Sequence, residues 1–372
     1  MITYAPTRTI WRPIHFDRMS DPAELLAQCE RQARARPGDP AALGNFGIML
    51  QRFGRLGEAE HVLRRALVLG PGNSINRFAL GLTLLAQGRF AEGWSYYEAR
   101  GEAAAEGVAL SSQIKAARWR GEGIAGKRLL VMPEQGLGDQ LQFARVLPKL
   151  AETGAKLILV SHPPLHGLFQ ASFPSIQHVV AGRVSELPSA DFWVSLLDVL
   201  AVMDLTPADL PPPPYLRTDT TWRNPPAGVR IGLMASGNRR HPNNARRSLA
   251  AANSAYLRSL LPGTVIDLDP DQTRAPTFSE TAAILNMCDL VVSVDTAAAH
   301  LAGALNRPCL LLLPGYDTDW RWMRDRSDSP WYPRHILLRN TVQGDWRGVI
   351  EAAAAYAREV AESAEARSAL PS

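Results

Sequence analysis

Between residues 45 and 100, apolar and small residues recur at helical spacing, and the pattern repeats. Residues 45–71 read NFGIMLQRFGRLGEAEHVLRRALVLGP, and the same order returns 34 positions later: Gly47 as Gly81, Leu50 as Leu84, Gly54 as Gly88, Leu56 as Phe90 and Leu63 as Tyr97. Pro37 and Pro71 keep the interval, so residues 22–36 read as the last helix of an earlier, incomplete unit. Gly47 and Ala59 let two antiparallel helices approach closely, while Leu50, Leu63 and Ala66 fill the seam. Gly54 falls where the first helix must turn, and Pro71 follows the second.

This period, with its small and large positions, resembles the tetratricopeptide repeat. Gly93 and Arg100 depart from it, standing where the repeat prefers alanine, as expected of a terminal unit that faces something other than another repeat. About two and a half units are near the lower limit for an independent array. The segment is therefore expected to lean on the next domain, either as a packing collar or as a surface for an acceptor or partner.

From residue 105 the period changes. Apolar runs at 126–134, 155–162, 176–180 and 191–197 read as strands, separated by helical stretches after 139 and around 164–172. The proline-rich stretch 208–228 continues neither element and reads as a linker. A second alternating half has strands at 229–236, 264–269, 289–295 and 308–314, with helices near 253–261, 279–288, 296–306 and 345–365. Strand–helix alternation marks a parallel sheet covered by helices. Two such Rossmann-like halves place a cleft at the carboxyl ends of both sheets, where ligands meet helix N-termini.

Composition narrows the class. The 372 residues are 46% hydrophobic and 20% charged, ample for a real core. Forty Lys and Arg against 36 Asp and Glu leave +4, and the basic residues are scattered rather than striped, which argues against a nucleic-acid binder. Cys29, Cys288 and Cys309 are far apart in apolar contexts, so buried thiols in a reducing compartment are expected. The first residues lack the apolar run of a signal peptide, and no run approaches the ~20 residues of a membrane span. A soluble, cytoplasmic protein is expected.

Three motifs carry candidate chemistry. Glu134-Gln135-Gly136-Leu137-Gly138-Asp139 closes the first strand of the first half; its glycines permit close approach and positive φ. Leu141 stands where a dinucleotide fingerprint needs glycine. Asp139 is either a carboxylate presented to an acceptor hydroxyl or the N-cap of a helix beginning at Gln140. In Ser293-Val294-Asp295-Thr296-Ala297-Ala298-Ala299-His300, a pyrophosphate fits the N–H groups of 296–298, and His300 lies one turn in. A plain cap at Asp295 and a core histidine at 300 are the alternatives. The loop 235–248 brings Asn238, Arg240 and Arg247, which suit a diphosphate or form a solvated basic loop. Trp320, Trp322 and Trp331 either stack on a sugar or base, or fill the core.

Together, EQGLGD, SVDTAAAHLAGAL, DWRW and SPWYP resemble bacterial tetratricopeptide-repeat proteins ending in a glycosyltransferase domain. That domain is similar to the family 9 glycosyltransferases, which include the heptosyltransferases, and more distantly to the O-GlcNAc transferase catalytic region. The resemblance implies an α/β chain: a short all-α repeat segment (20–104), then a GT-B pair of Rossmann-like domains. Residues 105–222 would form the acceptor side and 228–366 the nucleotide-sugar side. It implies inverting sugar transfer to a hydroxyl on a protein or glycan, with Asp139 as catalytic base. Gly136, Gly138, Asn238, Arg240, Arg247, Asp295, Thr296, Ala297 and His300 would meet the nucleotide-sugar. Met234-Ala235 replaces the aromatic residue that relatives often carry there, which bears on base or sugar preference. No metal and no cofactor beyond the nucleotide-sugar co-substrate are expected, and DLDPD (267–271) reads as a polar turn. A non-catalytic binding or scaffold protein, or a nucleotide-sugar epimerase, are the competing functions.

Overall fold

The computed structural model describes residues 21–103, 114–182, 186–239, 241, 243–342 and 344–368. The chain opens with helices α1 (Pro22–Ala35), α2 (Pro40–Arg52), α3 (Leu56–Leu69), α4 (Ser74–Ala86) and α5 (Phe90–Tyr97). Asp-Pro starts both α1 and α2. Asp21 and Asp39 each accept from the backbone N–H two residues on, and proline occupies the first helical position, where no N–H is needed. Helices α2 and α4 begin 34 residues apart, as do α3 and α5, in keeping with the sequence period. A Cβ at Gly47 would lie 2.6 Å from Leu63 Cγ, and one at Gly81 would lie 2.8 Å from the Tyr97 backbone nitrogen. Glycine at these two places is what lets each helix pair close.

Two five-stranded, wholly parallel sheets come next. The first runs β1-β5-β2-β3-β4, from β1 (Ala117–Arg118), β2 (Arg128–Met132), β3 (Lys156–Ser161), β4 (Gln177–Val180) and β5 (Phe192–Ser195). The second runs β10-β9-β8-β6-β7, from β6 (Arg230–Met234), β7 (Thr264–Asp267), β8 (Leu290–Val294), β9 (Cys309–Leu313) and β10 (His335–Arg339). Every residue of β8 and β9 is buried, which explains their unbroken apolar sequences: both faces of the sheet are covered. Helices α6 (Leu137–Phe143) and α7 (Pro163–Ser172) belong to the first sheet. Helices α8 (Ala251–Leu260), α9 (Phe278–Met287), α10 (Ala297–Ala304) and α11 (Arg347–Ser368) belong to the second. The sequence pattern does not reveal β1 and β10.

The helical segment and both sheets share one apolar core. Phe78, Trp94 and Tyr97 of the helices pack in it with Leu129 and Phe143 of the first sheet layer and Val291, Trp320 and Trp331 of the second. Trp320, Trp322 and Trp331 are 4%, 0% and 1% exposed, so of the two alternatives the structure gives them core packing. Trp320 meets Trp94 edge-on at 5.6 Å and Trp331 at 5.9 Å. Arg100 ties the helical segment to the first sheet. Its guanidinium is buried and donates to both oxygens of Glu134 at 2.7 Å and to Asp198 Oδ1 at 2.6 Å, joining the helices to the first sheet. Among the described residues, no helix is long and apolar enough to cross a membrane.

Candidate active site

A cleft of 960 Å³ opens where the carboxyl ends of both sheets meet the helical segment. This is within the size range of small-molecule sites. It is lined by Gln135–Asp139 after β2, Met234 at the end of β6 and Ser236–Arg239 after it, Leu268–Asp271 after β7, Asp295–Ala298 after β8 and Asp317–Arg321 after β9. Arg52, Phe78, Leu82 and Tyr97 of the helices complete the wall. Asn238, Arg247, Asp295, Thr296, Ala297, His300, Gly136, Gly138 and Asp139 all line this cleft. Arg240 lies outside the described residues.

The glycine motif works differently from its sequence reading. Gly136 is extended with φ −83°, and the left-handed residue of the turn is Gln135 with φ 60°. Helix α6 begins at Leu137, so Gly136 is the N-cap and Asp139 the third residue of the helix, not its cap. Asp139 Oδ2 accepts from the Gly136 backbone N–H at 2.8 Å. Gly138 is required by close approach: a Cβ there would lie 2.8 Å from His300 Cδ2 and 3.4 Å from Ala297 Cα. The first turns of α6 and α10 therefore abut; α6 carries Asp139 to the cleft, and Asp295 stands just before the Thr296 cap of α10.

The other oxygen of Asp139 is held by a residue that sequence spacing does not single out. Arg321 Nη2 donates to Asp139 Oδ1 at 2.5 Å, while Arg321 Nη1 donates to Asp319 Oδ1 at 3.0 Å. Burial pushes the Asp139 carboxyl above its ordinary range, opposed by the Arg321 guanidinium and assisted by the Asp319 and Glu134 carboxylates. Each Asp139 oxygen has one partner and a lone pair to spare, so the carboxylate can still accept from a hydroxyl in the cleft.

On the opposite side, Thr296 is the N-cap of α10, leaving the N–H groups of Ala297 and Ala298 without intrahelical partners. The Thr296 hydroxyl pairs with Ser293 Oγ at 3.1 Å. His300 is buried, 3.0 Å from the Tyr332 hydroxyl through Nδ1 and stacked on Trp322 at 5.0 Å. Burial, then the Arg321 charge, hold its imidazole well below the usual histidine range, so it meets any ligand as a neutral ring. His241 is likewise pushed down to about 4, by burial and then by Arg247. The positive charge on this side is therefore arginine, not histidine. Arg247 Nε is buried with no hydrogen-bond partner among the described residues, an orphan donor beside the cleft. Asp269 N-caps the turn 270–273 and Asp267 pairs with Arg258 at 2.5 Å, so DLDPD is a polar turn. Among the described residues no group of three or more His, Cys, Asp or Glu is placed to hold a metal ion.

Asp295 gives a pH prediction. Burial, helped by the Asp319 charge and opposed by Arg247, raises its carboxyl to about 6. An unfolded aspartate titrates near ~3.9, so the native state binds this proton more tightly. The resulting stabilisation is complete below about pH 4 and is lost as pH rises through about 6. Thermal melts from pH 4 to 7 should show Asp295→Asn gaining on the wild type as pH rises; a constant difference would contradict this.

Residues 275–340 match the model of glycosyltransferase family 9 (heptosyltransferase), and the match supports a glycosyltransferase. The chain is 27% identical over 369 residues to protein FlbA of Caulobacter vibrioides, covering 83% of this chain and 60% of that protein. It thus spans about three-fifths of the length of the curated relative it matches. Similar solved structures include two glycosyltransferases. One is the ADP-heptose lipopolysaccharide heptosyltransferase II of E. coli, with TM-score 0.45 and 11% identity over 64% of this chain and 99% of that one. The other is the iron-containing dodecameric glycosyltransferase TibC of enterotoxigenic E. coli H10407, with TM-score 0.41 and 15% identity over 64% and 76%.

Proposed function

We propose that this protein is an inverting, metal-independent glycosyltransferase that moves a sugar from a nucleotide-sugar to a hydroxyl on a protein or glycan. Its parts are read as a tetratricopeptide-repeat segment (20–104) and a GT-B pair, with acceptor side 105–222 and donor side 228–366. The observation that carries the reading is the pairing across one cleft of an available carboxylate, Asp139, with an orphan arginine donor, Arg247 Nε, beside the α10 N-terminus. An anionic diphosphate suits Arg247 and the N–H groups of Ala297 and Ala298, where arginine and helix dipole neutralise the charge that develops on departure. Asn238, Thr296 and His300 line the same side.

Asp139 takes the acceptor proton as the hydroxyl oxygen attacks the anomeric carbon from the face opposite the leaving diphosphate, inverting that centre. Positioning supplies much of the rate, because donor and acceptor must be held at attack distance. The helical segment supplies part of the wall through Phe78, Leu82 and Tyr97, and so meets whatever enters with the acceptor. Cys29, Cys288 and Cys309 are free and buried, in keeping with a cytoplasmic setting.

The test is a thermal-shift panel of ADP, GDP, UDP, CMP and their sugar conjugates, ADP-heptose included. A ligand at about 100 times its Kd stabilises the native state by ~2.7 kcal/mol, a visible shift. One nucleotide should stand out, and Arg247→Ala should lose most of its shift, since a hydrogen bond to a charged group contributes about 1.5–3 kcal/mol. A flat response across the panel would remove the donor site.

A further inference from the structure

Arg321 is 4% exposed, and each of its three guanidinium nitrogens is engaged. Nη2 donates to Asp139 Oδ1 at 2.5 Å and Nε to Gln142 Oε1 at 2.6 Å. Nη1 reaches both oxygens of Asp319, at 3.0 and 3.2 Å. The plane lies 4.5 Å over the Trp320 ring, with Phe143 at 5.6 Å. Asp139 and Gln142 sit on α6, after the first sheet's β2, whereas Arg321 and Asp319 sit in the turn after β9 of the second. One cation thus joins the two halves at the carboxylate assigned as base, and two aspartates share it.

We infer that Arg321 is the positioning residue of the transfer: it fixes one oxygen of Asp139 toward the second half while dividing its charge with Asp319, so that Asp139 stays ionised yet free to accept a proton. This rests on Asp139 as the base. In the transfer, the acceptor O–H proton passes to a carboxylate oxygen of Asp139. The hydroxyl oxygen forms the new bond to the anomeric carbon, and the bond from that carbon to the diphosphate oxygen breaks, its electron pair leaving with the nucleotide. The Asp139–Arg321–Asp319 cluster carries a net charge of about −1 before this step and about zero after it, counting one cation and two carboxylates. Arg321 keeps its two-oxygen contact with Asp319 throughout, so losing the Asp139 charge leaves no unpaired buried cation.

The groups facing Asp139 set its titration. They are Arg321 and Asp319 from the turn after β9, Glu134 from its own loop, the Tyr97 hydroxyl from the helical segment and the neutral His300 across Gly138. Burial and the two carboxylates favour the protonated acid, and Arg321 is the cation opposing them.

The experiment is a 13C NMR titration of the aspartate carboxyls in the full chain, with the Asp139 signal assigned from Asp139→Asn. In Arg321→Met the Asp139 midpoint should rise by about 1–3 units, the range an adjacent arginine commands. In Asp319→Asn it should fall, because the competing carboxylate is gone, and in Arg321→Lys it should stay within about half a unit of wild type. An unmoved midpoint in Arg321→Met, or movement in the same direction in Arg321→Met and Asp319→Asn, overturns the inference. If Arg321→Met does not fold, Asp319→Asn decides alone: a midpoint that stays or rises overturns it.

Turnover with the nucleotide-sugar that the thermal panel selects gives the second readout. The acid limb of kcat should follow the midpoint while the donor KM changes by less than about threefold. A loss of kcat with the acid limb in place assigns Arg321 a merely structural role and overturns the inference. Full transfer by Asp139→Asn sinks the base assignment instead, and the midpoints still report whether Arg321 governs that carboxyl.

Discussion

Asp139→Asn is expected to lower kcat for sugar transfer by about 10²–10⁴-fold, the usual contribution of a positioned general base, while leaving nucleotide binding nearly intact. The substitution is close to isosteric. An asparagine oxygen can still accept from the Gly136 backbone N–H, so the start of α6 keeps its cap. What is lost is the second acceptor oxygen and the ability to take a proton. The donor side, with Arg247 and the first N–H groups of α10, is contributed by the other half of the chain and is untouched. Steady-state kinetics with the identified donor, beside a thermal shift with the matching nucleoside diphosphate, would separate the two effects. Wild-type turnover by the variant would remove Asp139 from the proton-transfer step. Asp139→Glu is a sharper probe of geometry. It keeps the carboxylate but moves it by one methylene, and a misplacement of about 1 Å costs on the order of 10²-fold.

The chain's sequence shows its frame most plainly in the central strands β8 and β9, which are buried along their whole length. CLLLL and LVVSV have no polar alternation to blur them, and the glycines at 47 and 81 mark where helices touch. β10 escapes notice because HILLR carries a buried histidine and a terminal arginine, which break the apolar run. The cleft residues are also legible in part, since the segments that carry them follow β2, β6 and β8. Arg321 is not, although it lies inside the DWRW motif. Its partners Asp139 and Gln142 are 182 and 179 positions away, and no local period encodes such a contact. The tryptophans around it draw attention as possible ligand stackers, when their physical role is to bury the guanidinium and the core. Likewise Arg100 stands out as a departure from the repeat, but nothing near it in sequence names Glu134 or Asp198.

Arg100→Ala is expected to be the most destabilising single substitution on the surface that joins the helices to the first sheet. Asp198 is 5% exposed and Arg100 7%, so removing the arginine leaves a buried carboxylate deprived of one of its two cations. Breaking a buried pair from one side typically costs about 3–5 kcal/mol, a large share of the ~5–15 kcal/mol that holds a domain folded. Burial favours the protonated form of Asp198, yet the Arg100 and Arg118 charges outweigh it and hold the carboxyl below its ordinary range. Its contribution is thus present above the unfolded value near ~3.9 and lost as pH falls through the lower native value. The variant should melt several degrees lower at pH 7, and the gap should narrow in acid as Asp198 becomes protonated. A double-mutant cycle with Asp198→Asn isolates the pair: Arg100→Ala should cost much less in that background, because the stranded charge is gone. Equal costs in both backgrounds would mean that Arg100 acts only through Glu134, whose carboxylate it also holds and to whose Oε2 Ser195 donates as well. The loss should reach the cleft as well. Glu134 begins the turn that leads into α6, which carries Asp139, and Gln135 donates to the Tyr97 hydroxyl at 3.0 Å, so the helical segment and the start of α6 are anchored by the same few contacts.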